Sequence, residues 1–413
     1  MNTNKIKNKA KILVTASTFP RWENDTVPGF VYNLSKRLTE RFDVYVLIPH
    51  SKGSKEFEPM DNMKIYRYKY LPFNWGKLDS SGNMMPKLNK NKLLYFHLPF
   101  YFLSQLLAIR KIVKKENIDI IHSHWLIPQG LTAVLYKKLF NKNIKILCTS
   151  HGGDIFGLEH KLGKSLKKFV LNNIDGLTVV SNAIKEKVIK EYSYNNKIYV
   201  YPMGTDTRKF GPIKKDDNIK IKLNIKGTFL LFVGRLTEKK GLKYLIQAMP
   251  YIVKQYPQSK LIIIGDGILK KQMMQLTHKL KMENNITFLG ALTHNKLPKY
   301  FATSDLFIGP SITTKQGDRE GFGLVFAEAM SCGTPVITTN QTAITDIVKN
   351  NENGFVVEEK NPEQIAEKVL YVLKNKDKLE DMKNKAREHI VKNFDWDIIA
   401  ERYVELIKEL VKE

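Results

Sequence analysis

Cysteine is scarce in this chain of 413 residues. The two cysteines, Cys148 and Cys332, lie far apart and form no CxxC pair. This usage argues against a disulfide scaffold or a zinc site and fits a reducing compartment, so we expect a cytoplasmic protein. A long apolar stretch is also lacking after the lysines of the N-terminal MNTNKIKNKAKILV. We therefore expect no signal peptide.

Acidic residues are the second shortage. The chain has 67 Lys and Arg residues against 41 Asp and Glu residues, a formal net charge of +26. Residues 1–205 hold 33 basic and 15 acidic residues (+18), and the remainder holds 34 and 26 (+8). This asymmetry indicates an anionic partner for the N-terminal half, such as a membrane surface. An Arg-rich recognition helix and an aromatic-basic motif are lacking, so nucleic acid is not the expected partner.

The length and the 43% hydrophobic content predict a globular protein of two domains. Short apolar runs alternate with helical patterns in both halves, which predicts two doubly wound α/β sheets. The polar stretch 203–218, with its glycines, prolines and charges, predicts the linker, so the domains are expected at 1–205 and 206–396. The predicted strands are 11–17, 44–49, 64–70, 119–123, 144–149, 177–181, 198–202, 229–233, 261–265, 286–289, 306–309, 336–339 and 355–357.

The most apolar run is 93–109, LLYFHLPFYFLSQLLAI, with lysines on both sides. Its 17 residues include His97, Pro99 and Gln105, and a spanning helix needs about 20 apolar residues. We therefore expect a helix that packs in the core or lies at a membrane interface.

Residues 310–340, PSITTKQGDREGFGLVFAEAMSCGTPVITTN, form the most informative segment. A predicted strand leads into a loop with Gly321 and Gly323, and a helical pattern then runs until Gly333. This βαβ arrangement puts the loop at the carboxyl end of a strand, where open α/β sheets bind ligands. The loop glycines allow close backbone approach, and the N–H groups that open the helix suit a phosphate.

Two carboxylates accompany this loop. Glu320 precedes the predicted helix and Glu328 follows eight residues later. Carboxylate oxygens accept hydrogen bonds, so each side chain can bind vicinal hydroxyls, one set on a sugar and one on a ribose. The alternative is that Glu320 is an ordinary helix N-terminal charge and Glu328 a solvated helix residue.

Glu320-x7-Glu328 within EGFGLVFAEAMSCGTPVI closely resembles the donor-binding signature of retaining glycosyltransferases of family 4. These have the GT-B fold, an α/β architecture of two doubly wound Rossmann-like domains that face a central cleft. The resemblance implies an acceptor-binding first domain and a donor-binding second domain, with a final helix at about 397–413 that crosses back onto the first. It implies that Glu320 lies against the donor sugar, that Glu328 binds the ribose, and that sugar and phosphate contact the backbone of Gly321, Phe322, Gly323 and Leu324.

The stretch FVGRLTEKKG places Arg235 and Lys240 after the predicted strand 229–233. Two cations there can neutralise a leaving diphosphate. A solvated basic turn is the alternative, and it is the interpretation that we prefer for Lys239 and Lys243. The stretch is similar to the phosphate-binding segment of the same family, which implies that Arg235 and Lys240 bind the donor diphosphate.

Three further glycines, each in a predicted turn, are candidates for contact with the donor. Gly234 precedes Arg235, and Gly265 with Asp266 ends the next strand, so we expect these residues to line the nucleotide pocket, although such a turn is common. Gly29 ends a polar loop beside a predicted helix and is a candidate for diphosphate contact. The family carries a Gly-Gly pair at this point and this chain has Pro28-Gly29, so a plain turn glycine is the alternative.

His151 follows a predicted strand directly and precedes Gly152-Gly153. Isolated histidines are usually structural, but this position at a strand end favours a functional one. The family carries a His-Gly motif here, which implies that His151 faces the donor sugar near the reacting centre. Asp154 is expected to contact the acceptor or to cap a helix. His122 and His124 are expected to support the site.

The resemblance implies a retaining glycosyltransferase, and we expect it to need neither a metal nor a cofactor. Its co-substrate would be a UDP- or GDP-linked sugar, and its acceptor a glycan or lipid-linked hydroxyl in cell-surface polysaccharide or glycolipid biosynthesis. Catalytic roles fall to His151 and Glu320. The alternatives are a sugar-nucleotide epimerase of the same fold, a basic nucleic-acid-binding protein, and an inactive scaffold.

Overall fold

The computed structural model describes residues 9–22, 25, 27, 29–72, 76–78, 84–315 and 317–412. The chain divides into two compact units. Unit 1 comprises Met1–Val180, Ile184–Tyr201 and Ile399–Glu413, and unit 2 comprises Ser181–Ala183 and Pro202–Ile398. The first residues of the expected linker, from 203, therefore lie in unit 2.

Unit 1 is built on an eight-stranded sheet of order β3-β4-β2-β1-β5-β6-β7-β8. All neighbouring strands are parallel except β3 and β4. Its strands are β1 (Lys11–Thr15), β2 (Asp43–Pro49), β3 (Phe57–Met60), β4 (Met63–Tyr68), β5 (Ile120–His124), β6 (Lys145–Ser150), β7 (Gly176–Val179) and β8 (Ile198–Val200). Its helices are α1 (Phe30–Leu38), α2 (Met84–Lys90), α3 (Leu98–Glu116), α4 (Leu131–Phe140), α5 (Gly153–Phe156), α6 (Lys161–Leu171) and α7 (Asn182–Tyr192).

Unit 2 is built on a six-stranded, wholly parallel sheet of order β11-β10-β9-β12-β13-β14. Its strands are β9 (Phe229–Val233), β10 (Lys260–Ile264), β11 (Ile286–Gly290), β12 (Leu306–Gly309), β13 (Val336–Thr339) and β14 (Phe355–Val357). Its helices are α8 (Asn218–Lys222), α9 (Leu242–Gln255), α10 (Lys270–Lys279), α11 (Leu297–Thr303), α12 (Leu324–Ser331), α13 (Thr342–Thr345), α14 (Pro362–Lys374) and α15 (Lys376–Asn393). The last helix, α16 (Trp396–Lys412), belongs to unit 1 from Ile399 onward.

Both sheets have the strand order of a doubly wound Rossmann fold, which confirms the predicted fold class. In chain order the unit 2 strands lie 3-2-1-4-5-6, and unit 1 repeats this order before its final strand, with β3 added at the edge. The strand order reverses between β1 and β5 in unit 1 and between β9 and β12 in unit 2. Ligands of such sheets bind beyond the carboxyl ends of the strands at this switch point.

The central strands are apolar along their whole length because helices cover both faces of a parallel sheet. In β1 and in β9 every residue after the first is fully or almost fully buried. The edge strand β3, FEPM, was not among the predicted strands, and its Glu58 and Pro59 are residue types that are rare in strands. An edge position tolerates a proline because one side of the strand needs no ladder hydrogen bonds.

The apolar run 93–109 forms a short 3-10 turn, Lys92–His97, that leads directly into α3. Residues Lys92–Glu116 are long and apolar enough to cross a membrane by length and composition alone, and little of this segment is buried. Tyr101, Gln105 and Ile109 pack into unit 1, whereas the opposite face of the helix is exposed. The expectation of a core-packed helix therefore holds for one face only.

Candidate functional site

The switch point of unit 2 carries an ion pair between two predicted site residues. Lys240 ends the loop after β9, and Glu320 lies in the loop after β12. Lys240 Nζ lies 3.0 Å from Glu320 Oε1, and both side chains are largely buried. The strand order makes these two loops neighbours although 80 positions separate the residues, because β9 and β12 pair directly.

Positive charges keep Glu320 ionised in spite of its burial. Burial by itself raises the pKa of Glu320, but the charges of Lys240, Lys239 and Arg235 outweigh it and hold that pKa below its ordinary value. The backbone N–H of Glu320 donates to Gln341 Oε1 at 3.2 Å, which fixes the loop. The loop therefore presents an anionic carboxylate inside a cationic surrounding.

Lys239 is not the solvated residue that sequence analysis preferred. Its Nζ lies 3.1 Å from Asp318 Oδ1, and its side chain is only 19% exposed. Its carbonyl oxygen accepts a hydrogen bond from the N–H of Ile312 at 2.7 Å. The interpretation was wrong because a second loop covers this lysine, and the local sequence EKKG gives no sign of that loop.

The loops after β9 and β10 also pack closely. Gly265 has φ +146°, and a Cβ atom there would lie 1.9 Å from the carbonyl oxygen of Gly234. The N–H of Leu236 donates to the carbonyl oxygen of Asp266 at 2.9 Å. Asp266 is exposed, and its carboxylate pairs with Lys270 at 3.1 Å. Backbone packing thus explains why Gly265 is a glycine, and its contact with a nucleotide stays a prediction.

The segment from Gly321 to Leu324 leads into α12, as predicted. Gly323 occupies the N-cap position with φ +87°, and a Cβ atom there would lie 2.9 Å from the Phe326 ring. The Phe322 side chain is buried against Phe394, with ring centroids 6.0 Å apart, so it contributes to packing. The buried ring of Phe322 is therefore not available to a ligand, and only the backbone of this residue could contact one.

Glu328 has a different partner from Glu320. It lies in the second turn of α12 with 3% of its surface exposed, and its Oε1 lies 2.7 Å from His294 Nε2. The other nitrogen of His294 lies 3.1 Å from Lys209 Nζ. Burial lowers the pKa of Lys209, and Glu328 opposes that shift. The alternative that Glu328 is a solvated helix residue is wrong.

His294 and Lys209 were not among the predicted site residues. His294 follows β11 by four residues, at the same sheet edge as the other site residues, so its strand-end position was a usable signal. Lys209 stands in the stretch that was expected to be linker, and the sequence offers no signal for it.

In unit 1 the ends of β5 and β6 bring together three histidines. His124 Nδ1 and His151 Nε2 lie 2.9 Å apart, so one nitrogen donates and the other accepts. The two rings are stacked with centroids 5.2 Å apart, and His122 lies against His124 at 4.3 Å. His122 Nε2 lies 2.8 Å from Thr149 Oγ1.

All three histidines are neutral at pH 7. Burial lowers the pKa of His122 and of His151 to about 3, and burial together with the neighbouring histidines lowers the pKa of His124 well below its ordinary value. Among the described residues no hydrogen-bond partner meets His151 Nδ1. His151 is partly exposed as a residue, but its Nδ1 atom is buried, and among the described residues His122 Nδ1 and His124 Nε2 are buried without a partner as well.

Aromatic rings enclose His151. Phe30 and Trp125 each lie with ring centroids 4.9 Å from the imidazole. Trp125 follows β5 with φ +76°, an uncommon conformation for a bulky residue. Sequence analysis missed both rings, although DIIHSHW placed Trp125 at a strand end.

Asp154 and Gly29 serve the loops around this cluster. Asp154 is buried and accepts hydrogen bonds from the N–H of Leu126 and from Ser150 Oγ, both at 2.8 Å. Burial raises the pKa of Asp154. Gly29 immediately precedes α1 with φ −91°, and the space around it admits a Cβ atom. Packing therefore does not require a glycine at position 29. The role of Gly29 in binding stays a prediction.

The two units together match known glycosyltransferases. A solved structure, sucrose-phosphate synthase from Thermosynechococcus elongatus, superposes with a TM-score of 0.79 at 20% identity and covers 97% of this chain and 99% of its own. The architecture is therefore GT-B. The family described as Glycosyl transferases group 1 matches residues 214–389, and Glycosyltransferase Family 4 matches residues 29–209.

Curated relatives agree on the class. An uncharacterized glycosyltransferase, MJ1607 of Methanocaldococcus jannaschii, is 32% identical over 72% of this chain and 77% of its own length. N-acetyl-alpha-D-glucosaminyl L-malate synthase of Bacillus anthracis is 27% identical over 83% and 88%. A GDP-mannose-dependent alpha-(1-6)-phosphatidylinositol monomannoside mannosyltransferase of Mycobacterium tuberculosis is 26% identical over 73% and 78%. The chain belongs to the family 4, group 1 glycosyltransferases.

Proposed function

We propose that the protein is a retaining glycosyltransferase that moves a sugar from a UDP- or GDP-linked donor to an acceptor hydroxyl. The observation that carries the donor proposal is the buried Lys240–Glu320 pair at the unit 2 switch point, with Arg235 and Lys239 close enough to act on the same carboxylate. The nucleoside diphosphate of the donor would carry negative charge at this switch point. Lys240 and Arg235 would stabilise the additional negative charge that forms when the diphosphate leaves the sugar. The name of the Mycobacterium relative, which includes GDP-mannose, supports a nucleotide-sugar donor.

In this proposal the two carboxylates bind different parts of the donor. Glu320, beside the phosphate-binding cations, contacts the sugar. Glu328, which His294 orients, contacts the ribose hydroxyls. Because the pKa of Glu320 is lowered, Glu320 is ionised at neutral pH and accepts hydrogen bonds rather than donating a proton.

His151 is proposed to hold the donor sugar as a neutral hydrogen-bond donor. If His124 Nδ1 donates to His151 Nε2, the proton of His151 lies on Nδ1, the ring nitrogen without a partner in the described residues. Burial keeps the ring neutral, so it places no extra positive charge beside the sugar. His124 is thus a positioning residue that fixes the tautomer.

In the proposed reaction the acceptor oxygen attacks the anomeric carbon on the face from which the diphosphate leaves. The bond to the diphosphate breaks, and an oxygen of the leaving phosphate takes the acceptor proton, so the configuration is retained. Lys240 and Arg235 provide the charge stabilisation, and we propose that the reaction needs no metal ion or other cofactor.

We propose a glycan or lipid-linked acceptor, in cell-surface polysaccharide or glycolipid biosynthesis on the cytoplasmic side. The excess of +18 on residues 1–205 supports an acceptor presented near anionic groups. The glycolipid acceptor in the name of the Mycobacterium relative agrees with this class.

The test is a panel of UDP- and GDP-linked sugars incubated with the protein in the presence of a chelator. Release of free nucleotide from one donor, which rises when acceptor is added, is the expected result. NMR of the product reports whether the anomeric configuration matches that of the donor. Conversion of the donor to an isomeric sugar nucleotide without release would show an epimerase, and loss of activity in the chelator would overturn metal independence.

A further inference from the structure

The outward face of α3 and of the turn before it exposes large apolar side chains. Five residues form this surface, which we call the α3 outer face. Their exposed fractions are 69% for Leu93, 75% for Phe96, 53% for Phe100, 55% for Leu103 and 50% for Leu107. Single exposed apolar residues are ordinary on a protein surface, but a contiguous group of this size marks an interaction site.

The spacing shows that these side chains share one side of a helix. Within α3, Phe100, Leu103 and Leu107 follow each other at intervals of three and four residues, which keeps them on one stripe, and Phe96 lies in the 3-10 turn directly before it. The buried residues of α3, among them Tyr101 and Gln105, lie on the opposite side. The helix is therefore apolar on the face that packs into unit 1 and apolar again on the face that points outward.

Cations border the α3 outer face, and the one acidic residue of the α3 sequence is its last, Glu116, whose Oε1 lies 3.5 Å from Lys115 Nζ. Residues 80–115 contain no Asp or Glu, and seven Lys or Arg residues: Lys87, Lys90, Lys92, Arg110, Lys111, Lys114 and Lys115. Those at 110, 111, 114 and 115 are exposed on the last turns of α3. An apolar stripe that ends in a cationic cluster is complementary to a bilayer surface with anionic headgroups.

The neighbouring helix extends the same surface. Leu139 and Phe140, at the end of α4, are 63% and 42% exposed. The guanidinium carbon of Arg110 lies 4.6 Å from the centroid of the Phe140 ring, which places this pair beside the cationic end of α3. The apolar surface is thus wider than one helix, and a cation stands within it.

We propose that the α3 outer face docks unit 1 on the surface of an anionic lipid bilayer, with the helix lying along the interface. The apolar side chains enter the boundary between headgroups and acyl chains, and the cations at 110, 111, 114 and 115 contact the headgroups. Length and composition alone also permit a spanning helix. Packing of Tyr101, Gln105 and Ile109 into unit 1 favours the interfacial orientation, since a spanning helix has to leave that packing.

The test is co-sedimentation of the full-length protein with vesicles of phosphatidylcholine alone or mixed with phosphatidylglycerol. We expect the protein to bind the mixed vesicles at low salt, and to bind much less to neutral vesicles or at high salt. The double substitution Lys111→Gln/Lys114→Gln should lower the partition constant about twenty-five-fold, since each cation near the surface contributes about five-fold. The matched control is Lys254→Gln/Lys279→Gln, two exposed lysines of unit 2, which should leave binding unchanged.

The apolar part of the surface needs its own pair of variants. Phe96→Ser/Phe100→Ser should weaken vesicle binding roughly a hundred-fold, about ten-fold for each ring withdrawn from water. Ile213→Ser/Ile268→Ser removes two exposed apolar side chains of unit 2, 88% and 89% exposed, and should change nothing. All four positions are exposed, so the fold is expected to persist, and circular dichroism checks it.

Three outcomes would overturn the proposal. The first is vesicle binding that ignores anionic content and salt. The second is binding by the α3 variants that equals binding by the unit 2 controls. The third is a lack of vesicle binding together with dimers in sedimentation velocity that Phe96→Ser/Phe100→Ser abolishes, which would assign the surface to a second copy of the chain. None of these outcomes bears on the donor site, because the assay contains no sugar nucleotide.

Discussion

The two units differ in where their charge lies. Residues 1–205, which supply most of unit 1, carry an excess of +18, yet the strand ends of this unit present three neutral histidines. The rest of the chain carries only +8, yet the strand ends of unit 2 hold the buried Lys240–Glu320 pair with Lys239 and Arg235 nearby. Net charge therefore does not locate the site that we propose for the anionic donor.

This difference separates what the fold decides from what the loops decide. Both sheets follow the same doubly wound order, so both place functional side chains at the same kind of sheet edge. The loops then supply different chemistry, an ion pair among cations in unit 2 and a cluster of neutral histidines in unit 1. The basic surplus of unit 1 lies elsewhere, in part on the exposed last turns of α3.

The strongest test of the comparison removes the uncharged site. His151→Ala should lower turnover about a hundred-fold or more, since the loss of one preorganised hydrogen-bond donor commonly has this effect. Affinity for the nucleoside diphosphate should stay the same, because the proposed partner of His151 is the sugar. Steady-state kinetics with calorimetric titration of the nucleotide checks both parts. His278→Ala, an exposed histidine of unit 2, is the control and should behave as wild type.

The converse test removes the charged site. Arg235→Ala and Lys240→Ala should each weaken nucleoside diphosphate binding about ten-fold to a hundred-fold, since a hydrogen bond to a charged group contributes about 1.5–3 kcal/mol. Fluorescence or calorimetric titration measures the change. Lys243→Ala, an exposed lysine three residues further on, is the control. Unchanged nucleotide affinity in both site variants would contradict the assignment.

A third test sharpens the division within unit 2. Glu328→Gln should weaken nucleotide binding about ten-fold, because it removes a charged acceptor from the ribose. Glu320→Gln should reduce turnover more than nucleotide affinity, since its proposed partner is the sugar. His294→Ala should resemble Glu328→Gln in a milder form, because His294 Nε2 orients Glu328 at 2.7 Å. Kinetically indistinguishable Glu320 and Glu328 variants would show that the two carboxylates share one role.

The smallest expected effect is a difference in acid sensitivity. The histidines of unit 1 have folded-state pKa values lowered by burial, to about 3 for His122 and His151, so the unfolded chain binds more protons between pH 3 and the ordinary value of about 6.5. Their contribution to stability is complete above pH 6.5 and falls as the pH drops through that window, by up to about 1.4 kcal/mol per pH unit for each group. The lowered pKa of Glu320 has the same sign, but its stability contribution is lost only below about pH 4.5.

Hydrogen exchange, corrected for its intrinsic pH dependence, measures this difference. Between pH 6.5 and 5, amides of β5 and β6 should lose protection before those of β9 and β12. For the amides of unit 1, the free energy of opening depends on pH, and His122→Gln should reduce the slope of this dependence by about 1 kcal/mol per pH unit. Equal loss of protection in the two units across this window would argue against neutral histidines.

The sequence was informative where a local pattern defines the structure. Strands β9, β12, β13 and β14 match their predicted limits, because each apolar run is bounded by turn residues. The proximity of Lys240 and Glu320 could also be inferred from the sequence, because both residues follow predicted strands of one sheet. The ligand contacts predicted for the site residues, those of Gly29, Gly265 and Asp266 among them, stay predictions.

The parts of the site that the sequence did not predict depend on long-range contacts. The partnership of Glu328 with His294 depends on loops 34 positions apart that the sheet order brings together. The ion pair of Lys239 with Asp318 depends on the β12 loop, and the rings of Phe30 and Trp125 meet His151 from separate elements. A single sequence shows none of these pairings, because each is set by tertiary packing.

Calorimetric titration of the nucleoside diphosphate into wild type, Lys240→Ala and His151→Ala tests the central claim most directly. The claim is that the charged strand ends of unit 2, and not the more basic unit 1, bind the diphosphate. We predict a loss of about ten-fold or more in affinity for Lys240→Ala and wild-type affinity for His151→Ala. Wild-type affinity in Lys240→Ala together with weakened binding in His151→Ala would contradict it.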